Sequence, residues 1–261
     1  MRDVIGELKA LRLHGMAATW ADLIEQNNAD LDRSRWLIEQ MLRAESTDRA
    51  TRSVSHQMNA AKFPVHRDLA GFDFEVSPVD RKLVVQLAET AFTEAAHNVV
   101  MVGGPGTGKS HLVQALGHSA IRAGHDVLFT TASRMLAQIN AARATNSYER
   151  QLAKLVGIDL LIIDDFGLKP LTGIQDEDFH EVISERYERK STIVTSNLDI
   201  AEWHDAFPNR ILGAATIDRL RHGAYKIVLD GKSYRSHPRS ETQNTSCQRA
   251  EKQTTKGGQI A

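Results

Sequence analysis

Near the start of the chain, apolar residues recur every three to four positions. Val4, Ile5, Leu8, Leu11, Met16, Trp20, Leu23 and Ile24 form one such stripe, the spacing of an amphipathic helix. Gly15 interrupts it and predicts a bend, or a turn between two helices. Ser34 is placed to cap a second helix carrying Trp36, Leu37, Met41 and Leu42, because its hydroxyl can accept from a free N–H of the first turn. Thr47 opens a third stretch with Arg49, Arg52 and Lys62 among few apolar residues. Residues 1–67 thus read as an N-terminal helical domain, with Trp20 and Trp36 in a small core. Phe63-Pro64 breaks the last helix, since the proline ring disfavours helical geometry in the residue before it.

Beyond a short loop holding Phe72, Asp73 and Phe74, the pattern changes. From about residue 75 to 235, helical segments alternate with short β-branched runs. Val99–Val102, Val127–Thr131, Leu160–Ile163, Thr192–Thr195 and Tyr225–Leu229 are the strand candidates. The alternation predicts an α/β domain over 68–235, built from βαβ units around a mainly parallel five-stranded sheet buried on both faces. Trp203 and Phe207 read as packing residues within it. From Ser236 the chain turns to Ser, Thr, Gln, Lys and Arg. Such a segment buries almost nothing, so 236–261 reads as a disordered tail.

Composition narrows the class. The chain has 261 residues, 41% hydrophobic, enough for a core without disulfide or metal staples. Lysine and arginine total 32 against 33 acids, which excludes a basic nucleic-acid coat over the whole chain but not local patches. Cys247 is the single cysteine, so no disulfide forms within the chain. The aliphatic runs Val99–Val102 and Leu160–Ile163 are far shorter than the roughly 20 residues of a membrane helix. The N-terminus lacks the apolar core of a signal peptide. Together these features predict a cytoplasmic protein. The eleven histidines show no metal-ligand spacing.

Gly103-Gly104-Pro105-Gly106-Thr107-Gly108-Lys109-Ser110 satisfies G-x-x-x-x-G-K-[ST] in full. A strand candidate precedes it, and a helical pattern beginning with His111 and Leu112 follows. That is the setting a phosphate loop needs. Glycines let successive N–H groups turn toward phosphate oxygens, and the helix N-terminus adds partial positive charge. Residues 103–111 are therefore the candidate ATP-binding segment, with Lys109 for the β- and γ-phosphates and Ser110 for Mg²⁺. The apolar run Leu160–Ile163 ends in Asp164-Asp165. At the carboxyl edge of a buried strand, Asp164 would stand beside the phosphate loop and hold Mg²⁺ with Ser110. Asp165 is placed to orient or deprotonate an attacking water.

Three further features lie outside those motifs: Asn197 after the fourth strand, Arg219 in the helical segment Ala214–Arg221, and Arg235 after the last strand. Asn197, at the end of the strand beside the acidic one, either touches the γ-phosphate and attacking water or caps a turn, while spacing alone would leave both arginines as solvated surface charge.

The chain closely resembles AAA+ ATPases of the IstB type, helpers of insertion-sequence transposition, and more distantly the DnaC helicase loaders. The resemblance runs from about Leu8 to Arg235. It is carried by Leu11–Met16, Phe63-Pro64, Leu69–Phe74, the phosphate loop, Leu160–Gly167, Arg186–Arg189, Thr195–Asn197, Ile217–Leu220 and Ser233–Arg235. It implies a AAA+ P-loop fold with a reduced lid. By the same resemblance Asn197 is sensor 1, Arg219 an arginine finger reaching a neighbouring subunit's γ-phosphate, and Arg235 the sensor 2 arginine. A finger supplied in trans makes hydrolysis depend on assembly. Asp165 stands where many AAA+ proteins carry glutamate.

Two basic stretches permit DNA contact: 43–67, with five basic residues against Glu45 and Asp48, and 132–154, with Arg134, Arg143, Arg150 and Lys154. In the resembling family the second faces DNA threaded along the oligomer, giving sequence-tolerant affinity through phosphates. The resemblance implies ATP and Mg²⁺ as cofactors, and duplex DNA, a transposase and further copies of the chain as partners. Alternatives are a DnaC-type helicase loader, which shares every nucleotide motif, and a nucleotide-gated DNA clamp with negligible hydrolysis. A small-molecule kinase would need an acceptor pocket and lid that the sequence does not display.

Overall fold

Five parallel strands form one sheet in the order β2-β3-β4-β1-β5. They are β1 (Val99–Gly103), β2 (Val127–Thr131), β3 (Leu160–Phe166), β4 (Ser191–Ser196) and β5 (Tyr225–Leu229), matching the five β-branched runs. The computed structural model describes residues 3–26, 30–231 and 233. The reduced lid, Arg235 and the polar tail fall outside these residues. Among the described residues no helix is long and apolar enough to cross a membrane.

Both faces of the sheet are covered, as its unbroken apolar strands require. Side chains alternate between the faces with period two. Val100, Val102, Leu161, Ile163 and Val194 pack on one side with Phe166, Phe179, Trp203 and Phe207. That layer is built by α7 (Ala132–Ala144), α8 (Tyr148–Gly157), α9 (Gln175–Arg186) and α10 (Arg210–Arg221). Val99, Met101, Leu160, Ile162 and Ile193 face the other way. There they meet α6 (Lys109–Arg122) and the preceding α4 (Arg81–Ala88) and α5 (Ala91–Glu94). Trp203 and Phe207 are buried, in the packing role expected of them.

The N-terminal region is helical, but its joints differ from the expectation. α1 (Val4–Ala10) and α2 (His14–Glu25) are separated at Leu11–Leu13, where Arg12 takes a left-handed φ of 59°. Gly15 lies inside α2 and makes no turn. α3 is one helix from Leu31 to Ala60, so Ser34 caps nothing and Thr47 starts nothing. The Ser34 N–H donates to Asp30 O at 3.0 Å, and the Thr47 hydroxyl donates to Arg43 O at 2.9 Å. Ser34 thus continues the backbone ladder of the helix it was expected to begin, and the Thr47 hydroxyl is satisfied inside it. Val4, Leu8, Ala17, Trp20 and Leu42 form the small core. Trp36 stands outside it, 67% exposed. The predicted helical stretch 132–154 is two helices, broken near Asn146 at φ 50°.

Two anchors fix the frame. Arg186 is buried; its guanidinium donates to the carbonyls of Leu155 and Ile158, each at 2.7 Å, and to Ser191 O. One side chain thereby ties α8, β3 and β4 together. Burial pushes its pKa down to about 9, so it stays charged at neutral pH. The second anchor is His118, buried on α6, stacked on His66 at 4.4 Å and hydrogen-bonded through Nδ1 to Arg67 O. Burial holds its pKa below the ordinary 6.5. The unfolded chain then takes up the proton first as pH falls. Stability is intact above about pH 6.5 and declines below it. Melting temperatures measured from pH 8 to 5 should fall on the acid side, and less steeply for His118→Gln.

Candidate nucleotide-binding site

The sheet order explains how distant sequence segments meet. β4 lies between β1 and β3, so the loops leaving the carboxyl ends of all three converge on one edge, where ligands bind in open α/β sheets. β1 ends at Gly103, whose φ of 149° and close packing against the Leu229 carbonyl leave no room for a Cβ. Gly108, at φ 100°, lies where a Cβ would come 2.8 Å from the Phe72 ring. Glycine is thus required by conformation and by close approach at both ends of the loop. α6 starts at Lys109, directing its free first-turn N–H groups at the loop.

Lys109 is buried and pulled inward. Its ammonium donates to Gly103 O at 2.7 Å, Gly104 O at 2.8 Å and Asn197 Oδ1 at 2.7 Å. Asn197 and Lys109, 88 positions apart, are therefore direct partners. Ser110 Oγ donates to Asp164 Oδ1 at 3.2 Å. A hydroxyl beside a buried carboxylate is an all-oxygen donor set, which suits Mg²⁺; substrate phosphates and water would complete its octahedron.

At the acidic pair, the register of β3 against β4 slips. Ile163 pairs with Val194 and Phe166 with Ser196, so Asp164 and Asp165 together oppose Thr195. This is a β-bulge, a device that re-aims side chains. Asp165 sits at φ 59°, a left-handed conformation. Thr195 holds it: its hydroxyl accepts from Asp165 N at 3.0 Å and donates to Asp164 Oδ1. Thr195→Val removes both bonds within a fully buried site. It should cost about 1–3 kcal/mol of stability, measured by denaturant unfolding.

Lys109, Ser110, Asp165 and Asn197 line a cleft of about 600 Å³. Asp165, Asn197 and the phosphate loop form one wall. Val65, Arg67, Gly71, Phe72 and Asp73 form another, and Ser110, His111 and Gln114 of α6 contribute as well. Sequence reading missed Thr195, Gln114 and the 65–73 wall. The wall is docked by His111 Nε2 against Asp68 O at 3.0 Å and by the Phe72 edge on the His111 ring. Phe72-Asp73-Phe74 stood out as an apolar loop but carried no signal of where it docks.

Arg219 is elsewhere. Its carbonyl and that of Leu220 accept from Asn98 Nδ2, both at 3.3 Å, just before β1 begins. The C-terminal end of α10 therefore lies at the opposite edge of the sheet from the phosphate loop. Five strand residues at about 3.3 Å each separate the two edges. The guanidinium donates to Ala215 O at 3.0 Å and lies 6.0 Å from the Tyr187 ring. Arg235 lies outside the described residues, though Ser233 packs against Gly106 of the phosphate loop.

The candidate DNA contacts Arg134, Arg143 and Arg150 are all exposed. Arg143 also pairs with the buried Asp178 and lies 4.0 Å over the Tyr148 ring, which joins α7 to α8 and α9. Within the basic 43–67 stretch, Arg49 pairs with Glu45 and Arg52 with Asp48.

Residues 6–242 match the family described as IstB-like ATP binding protein. An ATP-binding protein of insertion sequence IS21 from Pseudomonas aeruginosa is 35% identical over 229 residues, covering 87% of this chain and 86% of that protein. An insertion-sequence ATP-binding protein from Mycobacterium tuberculosis is 33% identical over 236 residues, covering 89% and 93%. The crystal structure of the DnaC helicase loader is similar in fold, with a TM-score of 0.51 and 22% identity over 57% of this chain and 86% of that one. The fold is that of the AAA+ P-loop proteins, and the chain belongs to the IstB-like ATP-binding family.

Proposed function

We propose that the protein is an ATPase that assembles on duplex DNA and presents it to a partner transposase. ATP occupies the cleft between the phosphate loop and the 65–73 wall, where two copies of the chain meet. The observation that carries this reading is the division of the machinery. Lys109, Ser110, Asp164, Asp165 and Asn197 gather at one edge of the sheet, while Arg219 stands at the other. No single copy brings Arg219 to its own phosphate loop.

The residues take these parts. Gly103 to Ser110 and His111 form the phosphate cradle, and Lys109 exchanges loop carbonyls for phosphate oxygens on binding. Ser110 and Asp164 would hold Mg²⁺, which neutralises charge on the β- and γ-phosphates. Asp165 orients the attacking water and takes its proton. Asn197, bonded to Lys109, reports the γ-phosphate to β4. Arg219 stabilises transition-state charge in the neighbouring copy, and Arg235 contacts the phosphates of its own. Arg134, Arg143 and Arg150 meet DNA phosphates without reading sequence. The N-terminal helices, residues 1–67, offer the transposase a surface. The IstB-type relatives being insertion-sequence proteins supports a transposase, rather than a replicative helicase, as partner.

The test is filter binding of random-sequence duplex DNA with ATP, ADP or no nucleotide, together with phosphate release. DNA retention with ATP, and turnover stimulated by that DNA, are the expected results. DNA binding indifferent to nucleotide, or turnover indifferent to DNA, would refute the reading.

A further inference from the structure

Gln114 lines the cleft from the second turn of α6, on the same side as Ser110 and His111. It lies five residues past Lys109, roughly 7 Å farther along the helix axis at 1.5 Å per residue. That distance takes it away from the helix end that faces the phosphates. Its Nε2 donates to Ser110 O at 2.8 Å. A backbone carbonyl only accepts, so this partner fixes which end of the amide is nitrogen. The oxygen is left over. Oε1 is buried and has no hydrogen-bond partner among the described residues. A buried acceptor without a donor is unfavourable, and this one belongs to a side chain that lines the same cleft as the apolar Val65 and Phe72.

We infer that Gln114 Oε1 selects the purine: it accepts a hydrogen bond from the 6-amino group of adenine, which makes the site choose ATP over GTP. This rests on reading the cleft as the nucleotide site. Adenine presents an N–H donor at position 6, while guanine presents a carbonyl there. Guanine would set two acceptors against each other and leave both desolvated. Val65 and Phe72 give the 65–73 wall apolar surface for a purine, and Gln114 supplies the polar choice. Sites built around one such bond reject analogues lacking it far better than sites that measure size alone.

The experiment measures dissociation constants of the full chain for ATP, GTP and purine riboside triphosphate, which lacks the 6-amino group. The wild-type chain should bind ATP about ten-fold or more tightly than either competitor, the scale of one buried hydrogen bond. Gln114→Met, of similar shape, should bring all three within about two-fold of one another. Equal wild-type affinity for ATP and purine riboside triphosphate would overturn the inference, whether or not the variant folds. So would a folded Gln114→Met chain that keeps the full preference. If no purine triphosphate binds at all, the reading of the cleft as a nucleotide site fails first, and the selection falls with it.

Discussion

Arg219→Ala is expected to lower ATP turnover by about a thousand-fold or more, while leaving ATP affinity within a few-fold. Arginine fingers contribute about 10³–10⁵ to phosphoryl transfer, because they meet charge that develops only in the transition state. Binding is spared because nothing in the cleft of the same copy touches Arg219. Its backbone is held by Asn98 before β1 begins, and its guanidinium rests on Ala215 O and beside Tyr187. Neither contact belongs to the core. α10 stays packed through Ile217 and Leu220, so the variant should keep its melting temperature. Phosphate release against time, with ATP affinity measured separately by a fluorescent analogue, checks both halves. Undiminished turnover would contradict the role.

Asp165→Asn is the second large effect, a loss of about 10²–10⁴ in turnover, the usual worth of a positioned general base. The substitution is well controlled by the backbone. Asp165 sits at φ 59° within the bulge, and asparagine tolerates the left-handed region better than most residues. The Asp165 N–H can still donate to Thr195 Oγ1. Charge is removed while conformation is kept. Stability should change by less than about 1 kcal/mol, so an inactive but fully folded protein is the predicted product. Asp165→Glu is informative in the other direction. It puts a longer side chain on the same bulge, and steady-state turnover of this variant below the wild type is expected.

How much of this was legible in the chain depends on whether the signal is local. Strand runs such as Leu160–Ile163 declare themselves because a parallel sheet buried on both faces needs unbroken apolar residues. The phosphate loop declares itself because only glycine survives at Gly103 and Gly108. Asp164 and Asp165 follow from their place at a strand end. Thr195 was invisible, since its importance arises from a register slip between β3 and β4. Leu69–Phe74 was legible as a motif, but its place at the cleft was not, because His111 and Asp68, 43 positions apart, dock it. In the N-terminal helices, cap-forming residues misled. Ser34 and Thr47 both lie within one long helix, and Gly15 lies within α2 while Arg12 makes the turn. The pairing of Arg143 with Asp178 could not be read from the chain either, because the two lie 35 positions apart.

The shared site can be tested by mixing two inactive chains. Lys109→Ala removes the ammonium that cradles phosphate but keeps Arg219; Arg219→Ala keeps the cradle but lacks the finger. Titrating one into the other with duplex DNA present should restore turnover, rising toward about a quarter of the wild-type rate if dimeric contacts form at random. Mixtures that stay as inactive as their parents at every ratio, while exchanging subunits, would contradict a site completed from the neighbouring copy.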